Sequence, residues 1–242
     1  GGDSTRLFRE LAEPPLRDNL VLVVVVWSLI TLPLFGASYV FPIMLEKQFD
    51  VSPSRQFALM IPFVMVESVG LAIAYLFIDD MTVGRKRTIA GFQLSAVAVL
   101  VAAAFLVDWS LQWVFGMFIL IKIVTAAPYN IVYIWTAELL PTTHRNQGLS
   151  IGNSITKLVG GVVLPVLLTG LIVVYGIEDA NRMAFLAYAA AACVSVAVVL
   201  NLGRETVGRV MVDVADESLD DERLLLTRRS GGQHGGYEAI QP

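Results

Sequence analysis

Glu67, Lys122 and Lys157 are ionisable residues set inside long apolar runs, and their chemistry depends on the solvent they meet. In water they would be ordinary surface charges. Near the centre of a bilayer each costs about 2.5–3.5 kcal/mol on insertion scales, so each needs a partner or a task. A carboxylate there can take up and release a proton, while a lysine can hold an anion or neutralise the carboxylate. Their helical neighbours are polar or aromatic. On the Lys122 side fall Ala126, Tyr129, Asn130 and Tyr133, and on the Lys157 side Ser150, Asn153, Ser154, Gly160 and Gly161. Ser28, Thr31, Phe35, Ser38 and Tyr39 make a similar stripe earlier in the chain. Lys122, Tyr129, Asn130, Tyr133, Asn153 and Lys157 are therefore candidate substrate-binding residues, with Glu67 the candidate proton-coupling group. The plainer alternative is packing: Glu67 pairs with a lysine as glue, and Tyr or Ser on such faces serve interhelical hydrogen bonds.

Elements long enough to carry those residues across a membrane are legible in the composition. Of 242 residues, 56% are hydrophobic and only 16% charged, against roughly 25% charged in soluble domains. Several apolar runs exceed the roughly 18 residues that mark a bilayer span. The pattern predicts an all-α membrane protein with six transmembrane helices at Asn19–Leu45, Gln56–Ile78, Ile89–Val107, Leu111–Glu138, Leu149–Tyr175 and Met183–Leu202. At 1.5 Å per residue Glu67 lies about 16 Å into the second helix, Lys122 similarly deep in the fourth, and Lys157 about 13 Å into the fifth. In a core about 30 Å thick all three fall near one level. The long first, fourth and fifth helices are expected to tilt or break, with Pro33, Gly36, Pro42, Pro128 and Pro165 as weak points.

Lys/Arg bias in short loops sets the orientation. Arg6, Arg9, Arg17, Arg85, Lys86, Arg87, Arg145, Arg204 and Arg209 gather on one side; Lys47, Arg55 and Arg182 lie on the other. Both termini are predicted to be cytoplasmic. Residues 1–18 read as a cytoplasmic linker, 19–202 as the six-helix domain and 203–242 as an acidic, disordered tail. No initiator Met or secretory signal pattern opens the chain, which reads as a piece of something longer. The lone Cys193 excludes a disulfide framework. No HExxH, nucleophile elbow or Cys/His cluster points to enzyme chemistry, a metal or a cofactor. Nothing points to nucleic acid, and the formal charge is −4.

Two polar knots interrupt the basic side. "IDDMTVGRKRT" supplies Asp79 and Asp80, then Gly84 for a turn, then Arg85, Lys86 and Arg87. "YIWTAELLPTTHRNQG" supplies Glu138 and Arg145, with Pro141 stopping the helix between them. Opposite charges at neighbouring helix ends can latch one conformation and release in another, which makes these eight charged or turn residues a candidate cytoplasmic gate. The plainer reading is positive-inside topology alone.

The second knot resembles a pattern of the major facilitator superfamily, Y-x-Y-T-A-E-x-x-P-T-x-x-R-N-x-G. Tyr133, Thr136, Ala137, Glu138, Pro141, Thr142, Arg145, Asn146 and Gly148 match it, and Trp135 departs from it. Lys122 stands where those families carry a lysine, Glu67 and Gly70 resemble their Glu-x-x-Gly, and Lys157 occupies a frequently charged substrate position. Asp79 and Asp80 are offset from the family's Asp-x-x-Gly-Arg spacing, and the Gly-Gly…Pro segment falls one residue late after Lys157. The chain is similar to the C-terminal half of organic cation/anion transporters and synaptic-vesicle-glycoprotein-related transporters. The resemblance implies a 3+3 inverted repeat, an N-terminal six-helix half as partner, and a small organic ion bound at the midplane. Two lysines against one glutamate favour an anionic substrate. The function so implied is secondary transport by alternating access, with proton coupling through Glu67. The alternative is a non-transporting vesicle membrane protein on the same scaffold. In the tail, Asp220 or Asp221 precedes the Leu224–Leu225 pair, and Tyr237–Ile240 reads Tyr-x-x-apolar. Both resemble sorting signals for vesicle-coat adaptors, which would place the protein in an endosomal, vacuolar or vesicle membrane; the default is the plasma membrane.

Overall fold

The computed structural model of this chain describes residues 14, 16–80 and 83–206. Asp221, Leu224, Leu225, Tyr237 and the rest of the tail beyond Thr206 lie outside them, as do Arg6 and Arg9. Every regular element among the described residues is helical: α1 (Leu16–Lys47), α2 (Pro53–Met65), α3 (Glu67–Ile78), α4 (Gly84–Leu106), α5 (Leu111–Leu139), α6 (Arg145–Leu158), a π-helical turn (Val159–Val163), α7 (Leu164–Tyr175) and α8 (Ile177–Leu202). Taken as continuous rods they make six helices of membrane-crossing length and apolarity, with α2 and α3 forming the second and α6, the π-turn and α7 the fifth. The chain is an all-α, multi-pass membrane protein. Helices are the form such runs must take, because hydrocarbon offers no partner to an unpaired backbone group.

Apolar periodicity finds the six rods but trims their ends. α4 starts at Gly84, α6 at Arg145 and α8 at Ile177, each several residues before its apolar run. Polar residues carry a helix through the interfacial zone, which a hydropathy reading ignores.

The expected weak points are redistributed. α1 runs unbroken through Pro33, Gly36 and Pro42, and α5 through Pro128. With neighbouring helices packed around them and no water to compete, these prolines leave the rods intact. Of the two interruptions, one was not expected and the other falls beside Pro165. The second rod changes at Val66, whose N–H reaches the Pro62 carbonyl at 3.0 Å. The fifth widens into the π-turn just before Pro165, whose ring would otherwise press on the carbonyl four residues back.

Two apolar clusters fill the bundle. One joins Phe41, Phe63, Phe118 and Phe185, with Phe41 ring centroids 4.5 Å from Phe63 and 4.7 Å from Phe118. The other, nearer the basic end, joins Trp27, Ile30, Ile131 and Trp135. α4 and α8 are the most extensively packed pair. The second and fifth rods are the least buried, and these carry Glu67 and Lys157. At the opposite end, Arg182 pairs with Asp108 at 2.6 Å beside the exposed Trp109 and Trp113, the amphipathic rings expected at a membrane interface.

Candidate functional site

Glu67 begins α3, directly after the interruption at Val66. One turn on, Gly70 lies so close to the Ile123 backbone carbonyl of α5 that any Cβ would collide with it. That approach carries Glu67 to Lys122, and their side chains form an ion pair. Lys122 Nζ also donates to Ser38 Oγ of α1 at 2.9 Å and sits 4.8 Å from the Phe63 ring centroid. Three rods thus meet on one ammonium. The Lys122 side chain is 4% exposed, whereas Glu67 keeps 37% of its own exposed. The carboxylate is the open side of the pair.

Tyr129 and Tyr133 lie about two and three turns further along α5, half-buried, with their hydroxyls 3.2 Å apart. Trp27 meets the Tyr133 ring edge-on at 4.4 Å, and Phe35 meets Tyr129 at 5.8 Å. This aromatic group was only partly legible in sequence, since Trp27 comes from a helix more than a hundred residues earlier. Asn130 turns its amide back to the Ala126 carbonyl at 2.8 Å.

Asn153 and Lys157 lie elsewhere, on the exposed face of α6. That face also presents Asn146, Ser150 and Ser154, and a groove of about 460 Å³ runs beside it, lined by Asn146, Gln147, Ser150, Ile151, Ser154 and Ile155. The opposite face of α6 is packed: Thr156 Oγ1 lies 3.3 Å from Thr31 Oγ1, and Gly152 lies against the Trp27 indole. Lys122 and Lys157 therefore occupy different surroundings, one neutralised inside the bundle and one presented outward.

At the basic end the two knots converge. Arg85, at the start of α4, forms an ion pair with Glu138 at the end of α5 and reaches Asp79 at 3.4 Å. Asp80 contributes its backbone, accepting the Gly84 N–H at 2.7 Å. Arg145 Nε donates to the Ala137 carbonyl at 2.7 Å, tying α6 to the end of α5. Lys86 is half-buried and Arg87 exposed. Sequence reading missed Glu205. Its carboxylate accepts the N–H groups of Arg85 at 3.0 Å and Lys86 at 3.2 Å, capping the start of α4. Gly84 has φ 71°, and a Cβ there would strike that carboxylate. The free N–H groups and positive dipole at a helix start are the signal that calls for such an acid, but nothing in "GRET" says which helix it caps.

No known protein-family profile matches the chain. Over 103 residues it is 29% identical to a Xenopus laevis protein described as "Solute carrier family 22 member 15-like". The match covers 42% of this chain and 21% of that relative. The chain thus spans about a fifth of the length of the curated relative it matches.

Proposed function

We propose that this chain forms one six-helix half of a major-facilitator-type transporter for small organic ions, working by alternating access against an N-terminal half. The observation that carries the reading is the polar face of α6. Asn146, Ser150, Asn153, Ser154 and Lys157 are exposed along a rod of membrane-crossing length. Such a face is costly against lipid tails, so it belongs against water or another polypeptide. Its neighbours in a complete transporter would be the second half and the substrate pathway. The solute-carrier relative supports transport over catalysis.

In this reading Lys157 holds an anionic group of the substrate, with Tyr129 and Tyr133 lining the same midplane. The exposed edge of Glu67 accepts a proton while Lys122 keeps it anchored. The Arg85–Glu138–Asp79 cluster, with Arg145 and Glu205, closes the cytoplasmic mouth.

The test is uptake in cells or vesicles of a panel of small organic anions and cations by the full-length protein. Lys157→Ala should lower uptake of an anion at least tenfold at equal surface abundance, while Lys157→Arg retains part of it. Anion uptake that survives Lys157→Ala unchanged would remove the lysine from the site.

A further inference from the structure

Outside the candidate site, two polar side chains are buried along the packed helices α4 and α8. Gln93 and Ser195 are both 0% exposed. Gln93 Nε2, Gln93 Oε1 and Ser195 Oγ all lack a hydrogen-bond partner. The two residues face each other by register. At one end of this antiparallel pair the Arg85 N–H meets Glu205, just past α8; at the other Arg182 Nε reaches the Ala104 carbonyl. Close to midway between those contacts, Gln93 falls opposite Ser195. Both lie about 10–14 Å in from the basic ends of their helices, measured at 1.5 Å per residue. Ala90 and Ala96 on α4, and Ala192 on α8, are buried on the same faces, with Ile89 and Val199 buried one turn away.

A primary amide and a hydroxyl sealed at this depth lose their hydration without recovering it, and hydrocarbon supplies no substitute. Together they offer three protons and several lone pairs. One water molecule gives each of the three atoms a partner: it accepts from Gln93 Nε2 and donates to Ser195 Oγ, while the Ser195 hydroxyl proton turns to Gln93 Oε1. Buried waters characteristically make two to four hydrogen bonds to groups left unpaired by the protein.

We propose that Gln93 and Ser195 form a binding site for a single buried water, which clamps α4 to α8. Lipid tails give no hydrophobic drive for apolar helices to associate, so a hydrogen-bonded bridge can hold two Ala-rich surfaces together. The clamp joins two rods that carry none of the candidate substrate-binding residues. It makes that pair a firm backing for the rods that do.

The experiment is a double-mutant cycle on the purified full-length protein, read as thermal midpoint in detergent, with a high-resolution map of the wild type. Gln93→Leu and Ser195→Ala should each lower the midpoint by on the order of 3 °C, and the double variant should lose no more than the larger single loss. Density should stand within hydrogen-bond distance of both side chains. Additive losses, or singles at or above the wild-type midpoint, would overturn the clamp. Coupling with the two side chains in direct contact and no density between them would overturn the water. If Gln93→Leu does not fold, Gln93→Met and the map decide.

Discussion

The ammonium of Lys122 illustrates how one residue's environment assigns its work. Its partners come from α1, α2 and the start of α3, so it is fixed on three sides before any ligand arrives. Breaking a fully buried pair costs about 3–5 kcal/mol, but Glu67 is partly open and the penalty should fall nearer 1–3 kcal/mol. Lys122→Met should therefore lower the thermal midpoint of the full-length protein clearly, and Lys122→Met with Glu67→Leu should recover most of the loss. A midpoint unmoved by the single change would make the pair incidental. Glu67→Gln separates structure from coupling. It should leave substrate exchange intact and remove pH-driven accumulation, measured in vesicles with an imposed pH gradient. Accumulation that persists in this variant would make Glu67 a packing residue alone.

At the scale of elements, the start of α4 concentrates the candidate gate. Gly84 supplies the left-handed backbone, Glu205 caps the first turn, and Arg85 bridges to Glu138 and Asp79. Gly84→Ala adds a strained φ and a collision with the Glu205 carboxylate, whereas Glu205→Ala removes a cap worth about 0.5–2 kcal/mol. Arg85→Ala leaves Glu138 without that ion-pair partner. If this cluster latches the cytoplasmic side, each change should shift the population by about 1–3 kcal/mol. Thiol labelling of a cysteine placed at Ser150 should then accelerate from the cytoplasmic side. Equal labelling rates in folded variants would reduce the cluster to a topology signal.

For the whole molecule, address and assembly are the open predictions. The second and fifth rods are the least buried, which is the surface a second six-helix half would cover. The tail motifs bear on destination. If they are sorting signals, changing Leu224, Leu225 and Tyr237 together to Ala in the full-length protein should move it from internal vesicles to the cell surface, as seen by imaging. A distribution identical to wild type would remove the sorting reading.

How far the amino-acid order reaches can be argued from particular residues. Length and apolarity alone require six membrane-crossing helices, because hydrocarbon leaves backbone groups no other partner. Glu67, Lys122 and Lys157 stand out for the same reason, since a charge in an apolar run is costly wherever the run folds. What periodicity could not decide is which side chains meet. Lys122 and Lys157 read as equivalent by depth, yet the Gly70–Ile123 approach gives Glu67 to Lys122, while the packed Gly152–Thr156 face turns Lys157 outward. Glu205 joined the Arg85 cluster only when the end of α8 met the start of α4. Local pattern fixes depth and helical face, quantities that depend on neighbours along the chain. Pairing depends on how rods rotate against one another, and that is settled by backbone approaches between residues far apart in the sequence.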